Sequence, residues 1–94
     1  MNRCISCNKA GGKLCGKCLD MIYAHIHPLS GRTLEPAEAG LAMGIAAGII
    51  RSDLRNPIES PEWLEAYDDG LARTAAGQTL TAPLTFYDDE GNKI

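Results

Sequence analysis

Residues 40–50 read Gly40-Leu41-Ala42-Met43-Gly44-Ile45-Ala46-Ala47-Gly48-Ile49-Ile50. Glycines recur at four-residue spacing, which on a helix places Gly40, Gly44 and Gly48 in one row with large apolar residues around them. Each glycine inside a helix costs roughly 0.5–1 kcal/mol relative to alanine. Three in one row therefore require a compensating contact, and a row without side chains forms a groove that lets another helix approach closely. The expected occupant is the next helix of the same chain. A second copy, in a structural homodimer, is the alternative. The apolar run is too short to span a bilayer, which takes about 20 residues, so no membrane role is expected.

Working outward, the helix is expected to begin at Thr33 or Glu35, with Pro36 in its first turn and Glu35 and Glu38 facing the positive end of the helix dipole. It is expected to continue to about Asp53 or Leu54. Arg55-Asn56-Pro57-Ile58-Glu59 reads as a loop. Ser60-Pro61-Glu62 then supplies an N-cap, a proline at the first helical position and an acid in the first turn. Trp63, Leu64, Tyr67, Leu71 and Ala75 recur on one face of this second helix, and Gly77 supplies a stop. The pair reads as an antiparallel helical hairpin in which Trp63 and Tyr67 meet the glycine row. The opposite face carries Glu62, Glu65, Asp68 and Asp69, either a solvated surface or an acidic patch for a basic protein partner.

Two segments carry a resemblance. Gly40-Leu41-Ala42-Met43-Gly44-Ile45-Ala46-Ala47, Pro57 and Trp63-Leu64-Glu65-Ala66-Tyr67-Asp68-Asp69-Gly70 are similar to motifs of the ribosome modulation factor family of small bacterial and phage proteins. The resemblance covers about residues 37–72. It implies a helical hairpin, and the family's basic members bind ribosomal RNA and silence the ribosome. Here Leu41 stands where an aromatic is usual, and acids occupy the second helix where phosphate-binding cations would be needed.

Upstream, all four cysteines fall in two pairs, Cys4-Ile5-Ser6-Cys7 and Cys15-Gly16-Lys17-Cys18. Two Cys-x2-Cys pairs so close together converge four thiolates on one point, the ligand set of a structural Zn2+. Lys9, Gly11, Gly12 and Lys13 read as a hairpin tip between the pairs. Leu19, Ile22, Tyr23 and Ile26 then mark one face of a helix that is expected to carry the second pair at its N-terminus and to end at His27-Pro28. This is the pattern of a treble-clef or zinc-ribbon-like finger. His25 and His27 read as partly exposed residues at the helix end rather than ligands, since four cysteines fill a tetrahedral site. Downstream, Leu84 and Phe86 alternate with Thr85 and Tyr87, suggesting a short strand or tail with Pro83 at its edge. The expected fold is small α+β, mostly helical, with a zinc-finger module over residues 1–32, a helical hairpin over 33–77 and a strand or tail over 78–94.

At 94 residues the core is limited, and one zinc site would act as a staple, with binding energy on the order of 10 kcal/mol. The net charge of -3 is divided unevenly. Arg3, Lys9, Lys13, Lys17 and Arg32 against Asp20 leave residues 1–32 at +4, and four cations against eleven acids leave residues 33–94 at -7. The sequence contains no Ser-His-Asp order, phosphate-binding glycine loop or metalloprotease motif, and four ligands would close the metal to substrate.

The expectation is a non-enzymatic, cytoplasmic zinc protein that binds another protein as an adaptor or inhibitor. By fold-level analogy, such a protein fits a phage-encoded host-takeover or anti-defence factor acting in the host cytoplasm. The alternative is a ribosome-, RNA- or DNA-binding regulator using Arg3, Lys9, Lys13, Lys17 and Arg32 on the finger, which would lose affinity steeply with salt.

Overall fold

A computed structural model describes Cys4, residues 14–77 and Phe86. Three helices occupy the described residues: α1 (Gly16–Tyr23), α2 (Pro36–Ile50) and α3 (Pro61–Ala75). The expected hairpin between the cysteine pairs, including Cys7, Lys9, Gly11, Gly12 and Lys13, lies outside them. So does the expected C-terminal strand, apart from Phe86, whose side chain is buried in the core.

α2 is the centre of the molecule. Ala39, Gly40, Ala42, Met43, Gly44, Ile45, Ala46 and Ala47 are all buried. That stretch leaves no polar stripe, which is how a helix enclosed on all sides reads in sequence. Its N-terminus is fixed by Glu38, whose carboxylate accepts the Glu35 backbone N–H at 3.1 Å and pairs with Arg32 at 3.1 Å. The Arg32 guanidinium, followed by the Glu35 N–H, holds the Glu38 carboxyl below its ordinary range.

α3 fills the glycine row, and it does so with its backbone. A Cβ on Gly40 would overlap the Trp63 carbonyl oxygen and come within 2.9 Å of its carbon, and a Cβ on Gly44 would do the same at Tyr67. Farther along, a Cβ on Gly48 would meet the Thr74 side chain at 2.6 Å. Gly70 returns the contact, since a Cβ there would stand 2.8 Å from Leu41 O and 2.9 Å from Ile45 N. A homodimer through this row would have to displace α3.

The order of these contacts corrects the expected antiparallel hairpin. Gly40 meets Trp63, Gly44 meets Tyr67 and Gly48 meets Thr74, so position advances along both helices together. α2 and α3 run in the same direction, and the connection must carry the chain back along their length. It has the residues to do so because α2 ends at Ile50, short of the expected Asp53 or Leu54. Arg51 turns left-handed at φ 59°, Ser52 N–H bonds Ala47 O at 3.2 Å, and the chain leaves the helix. Residues 51–60 then return to Ser60, whose hydroxyl accepts Trp63 N–H at 3.4 Å and starts α3 where the sequence placed it.

The nearest atoms to Gly40 and Gly44 belong to the Trp63 and Tyr67 backbone rather than to their rings. The two rings stack on each other at 5.3 Å and 10° between planes, and both residues are fully or almost fully buried. The Trp63 indole N–H is a buried donor without a hydrogen-bond partner among the described residues. The Tyr67 hydroxyl accepts Leu54 N–H at 2.8 Å and donates to Asp53 Oδ1 at 3.2 Å. Leu54 O in turn accepts the Tyr23 hydroxyl of α1 at 2.6 Å. Tyr67 thus satisfies the Leu54 N–H, which a longer α2 would have bonded internally, and Tyr23 satisfies Leu54 O, which would have been an end carbonyl of that helix. Burial raises both tyrosine pKa values, and the charges of Asp53 and Glu59 add to this for Tyr23. At Tyr67 the Leu54 N–H opposes the rise, while Asp53 reinforces it.

α1 also stops before its sequence signal. It ends at Tyr23, not at His27-Pro28. His25 adopts φ 60°, its N–H bonds Ile22 O at 3.0 Å, and Ile26 N–H bonds Met21 O at 2.8 Å. This paired closure of a helix end usually carries glycine at the left-handed position. Ile26, expected on the helical face, instead forms an isolated antiparallel bridge with Thr33. The intervening turn is closed by His27, whose Nδ1 accepts the Leu29 and Ser30 N–H groups at 3.2 and 3.1 Å.

Candidate metal centre and acidic groove

Cys15 is the N-cap residue of α1 and Cys18 lies in its first turn. α1 therefore points its positive end at the cysteine cluster. Its first turn carries no acid, so among the described residues the cysteine sulfurs are the groups that meet this end. Cys4 joins from the preceding segment. The Sγ atoms of Cys4, Cys15 and Cys18 all lie within 4.8 Å of one another. Tetrahedral thiolate coordination at about 2.3 Å per bond places sulfurs about 3.8 Å apart, so a small adjustment brings these three to one ion. Cys4 is 0 % and Cys18 3 % exposed, with Cys15 partly exposed. The Cys15 backbone N–H donates to Cys4 Sγ at 3.4 Å. Three close cysteines could hold a metal ion here. Cys7, the fourth expected ligand, lies outside the described residues.

Neither histidine joins the cluster. His25 Nε2 stands 3.3 Å from both Glu59 carboxylate oxygens, and His27 is engaged in its own turn. Of the expected basic contact residues, Lys17 is exposed in the first turn of α1, whereas Lys9 and Lys13 fall outside the described residues. Arg32 is paired with Glu38.

The four acids of α3 are exposed, but they are not equivalent. Asp68 pairs with Arg55, whose guanidinium also sits 5.2 Å from the Tyr67 ring centre, and Asp69 pairs with Arg73 at 3.1 Å. Glu62 and Glu65 form no ion pair with the described residues. Glu62, Glu65 and Asp69 line one open groove of ≈ 470 Å³ with Ala37 of α2 and Ala66 of α3, while Asp68 faces the connection. The parallel course of the helices makes this groove, because it brings the first turns of α2 and α3 side by side.

The sequence reading missed two elements of this arrangement. Gly70 is as deeply involved in the helix contact as the α2 glycines, and its position seven residues after Trp63 was the available signal. The double grip on Leu54 had no signal, because backbone groups carry no residue code.

Among the described residues, no helix is long and apolar enough to cross a membrane. No family model matches the chain, and comparison with curated proteins and with solved structures likewise finds no match.

Proposed function

We propose that this chain is a small non-enzymatic zinc-binding protein that acts as an adaptor or inhibitor of another protein. The metal, held by Cys4, Cys7, Cys15 and Cys18, is a structural staple, and the groove beside α3 is the contact surface. Zinc is the ion favoured by a four-thiolate set because tetrahedral sulfur ligation suits it and the closed shell needs no substrate position.

The observation that carries the partner reading is the pair of carboxylates, Glu62 and Glu65, that meet no cation among the described residues, in a groove with Asp69 whose alanine sides leave room for an incoming chain. Such a surface fits a lysine- or arginine-bearing segment of a protein, with the carboxylates steering association and setting register. A phage-encoded host-takeover or anti-defence role, in the host cytoplasm, agrees with a protein of this size and charge by analogy of kind.

The test is capture from bacterial lysate with the wild-type chain and with a Glu62→Lys/Glu65→Lys/Asp69→Lys variant, read by mass spectrometry. The reading expects a protein that is retained by the wild type, weakened by salt and lost with the variant. Equal recovery on both baits would refute the groove as the contact surface.

A further inference from the structure

We propose that metal binding at the cysteine cluster controls the order of the α2–α3 connection, with α1 as the lever between them. The inference rests on the reading of Cys4, Cys15 and Cys18 as a metal site.

α1 has eight residues, too few to hold helical structure alone. Its buried residues are Cys18 and Ile22, so a single fully buried aliphatic side chain anchors it from the middle. Leu19 and Tyr23 add partly buried apolar contact with the core, and the remaining contacts of α1 among the described residues act at its ends. At the first turn are the thiols, which an ion would cross-link to Cys4. At the last turn the Tyr23 hydroxyl donates to Leu54 O at 2.6 Å, and just beyond it His25 reaches both Glu59 oxygens at 3.3 Å. Leu54 and Glu59 belong to the connection, which also carries Ile58, 89 % exposed.

The connection is therefore held from two sides, by Tyr67 and Asp68 of α3 and by Tyr23 of α1 with His25 just after it. The α3 side does not depend on the cysteines. The α1 side does, because the ion would be its cross-link to Cys4, and among the described residues the other supports of this short helix are Ile22, the partly buried Leu19 and Tyr23, and two polar contacts. Loss of α1 would release Leu54 O and Glu59 while the glycine-row contact of α2 with α3 persists. Glu59 directly precedes the Ser60 cap, so the metal state would also alter how the first turn of α3 presents Glu62.

The experiment is amide hydrogen exchange on the full chain, zinc-loaded and zinc-free, with bound zinc counted in parallel. The expected result is at least a ten-fold rise in exchange at the amides of residues 55, 56, 58 and 59 on zinc removal, with Ala42–Ala47 of α2 unchanged. In a Tyr23→Phe/Glu59→Ala variant zinc should still bind and the zinc-dependent difference at these amides should vanish. If that variant does not fold, the wild-type comparison decides by itself. One zinc bound with equal exchange at these amides in both states overturns the lever and leaves the metal reading standing. A rise that includes α2 also overturns it, since the metal would then hold the whole fold. If no zinc binds, the metal reading fails and the proposal with it.

Discussion

The Tyr67 carbonyl rests against the bare backbone of Gly44, so close that a Cβ on Gly44 would overlap its oxygen. The helix pair thus has no room for one methyl group at this level, and α3 would have to move as a body to admit it. Gly44→Ala is expected to lower stability by about 2–3 kcal/mol, because overpacking against backbone exceeds the gain of about 1 kcal/mol in helix propensity. Gly40→Ala should behave alike. Gly16→Ala, with nothing within 4 Å of the added carbon, should instead be neutral or stabilise by up to about 0.5 kcal/mol. Urea denaturation of the variants measures the contrast, and equal effects at positions 16 and 44 would contradict the packing.

The two tyrosines predict behaviour at high pH. Burial raises both hydroxyl pKa values above their ordinary value near 10, so the folded state holds these protons more tightly than the unfolded chain. The stability they contribute is complete below pH about 10 and falls as pH rises from there through the folded values. Tyr23→Phe should cost about 1 kcal/mol at neutral pH by orphaning Leu54 O, and it should flatten the alkaline decline. Stability curves from pH 8 to 11.5 for wild type and variant, showing identical slopes, would count against this account.

Glu38 acts at the opposite end of the pH scale. With its pKa lowered by Arg32 and the Glu35 N–H, it contributes stability above the ordinary carboxyl range, and that contribution is lost as pH falls through the folded value. Glu38→Gln should reduce the acid dependence of stability below about pH 5. The effect should be small and further weakened by salt, because the pair with Arg32 is substantially solvent-exposed.

His25 occupies a left-handed position that costs a side-chain-bearing residue about 1 kcal/mol. Glycine there relieves the strain and alanine does not. His25→Ala should therefore destabilise by about 1 kcal/mol through loss of the Glu59 contact, whereas His25→Gly should lie near wild type. Thermal denaturation separates the two, and a glycine variant no more stable than the alanine variant would argue against the helix closure described above.

Metal content provides the direct check on the cysteines. One zinc per chain is expected, with cobalt substitution giving the absorption of tetrahedral thiolate coordination. Cys4→Ser or Cys18→Ser should weaken binding by orders of magnitude. Chelation should lower the helical signal by the share of α1 while α2 and α3 remain.

The sequence disclosed the helices most clearly where local chemistry is strongest. Ser60-Pro61-Glu62 marks the start of α3 because cap, ring and carboxylate each act within one turn. The glycine row announced a close helix contact, but spacing within one helix carries no information on the direction of its neighbour. Direction was decided by where α2 stopped, and that depended on Arg51 turning left-handed and on Tyr23 and Tyr67 taking over Leu54, contacts distant in sequence. Likewise Ile26 fits the helical period of α1, yet its bridge to Thr33 outweighs the period. At the cysteine cluster, spacing alone grouped Cys4 with Cys15 and Cys18 because Cys-x2-Cys pairs restrict where sulfurs can go.

The enclosure of α2 has a consequence during synthesis. The chain is made from its N-terminus, so α2 is complete before the helix that covers its glycine row exists. Until Pro61–Ala75 follows, Leu41–Ile50 is an uncovered apolar segment of the kind that chaperones and proteases recognise. The parallel course lengthens that interval, because the whole return connection must be made before the first residue of the cover.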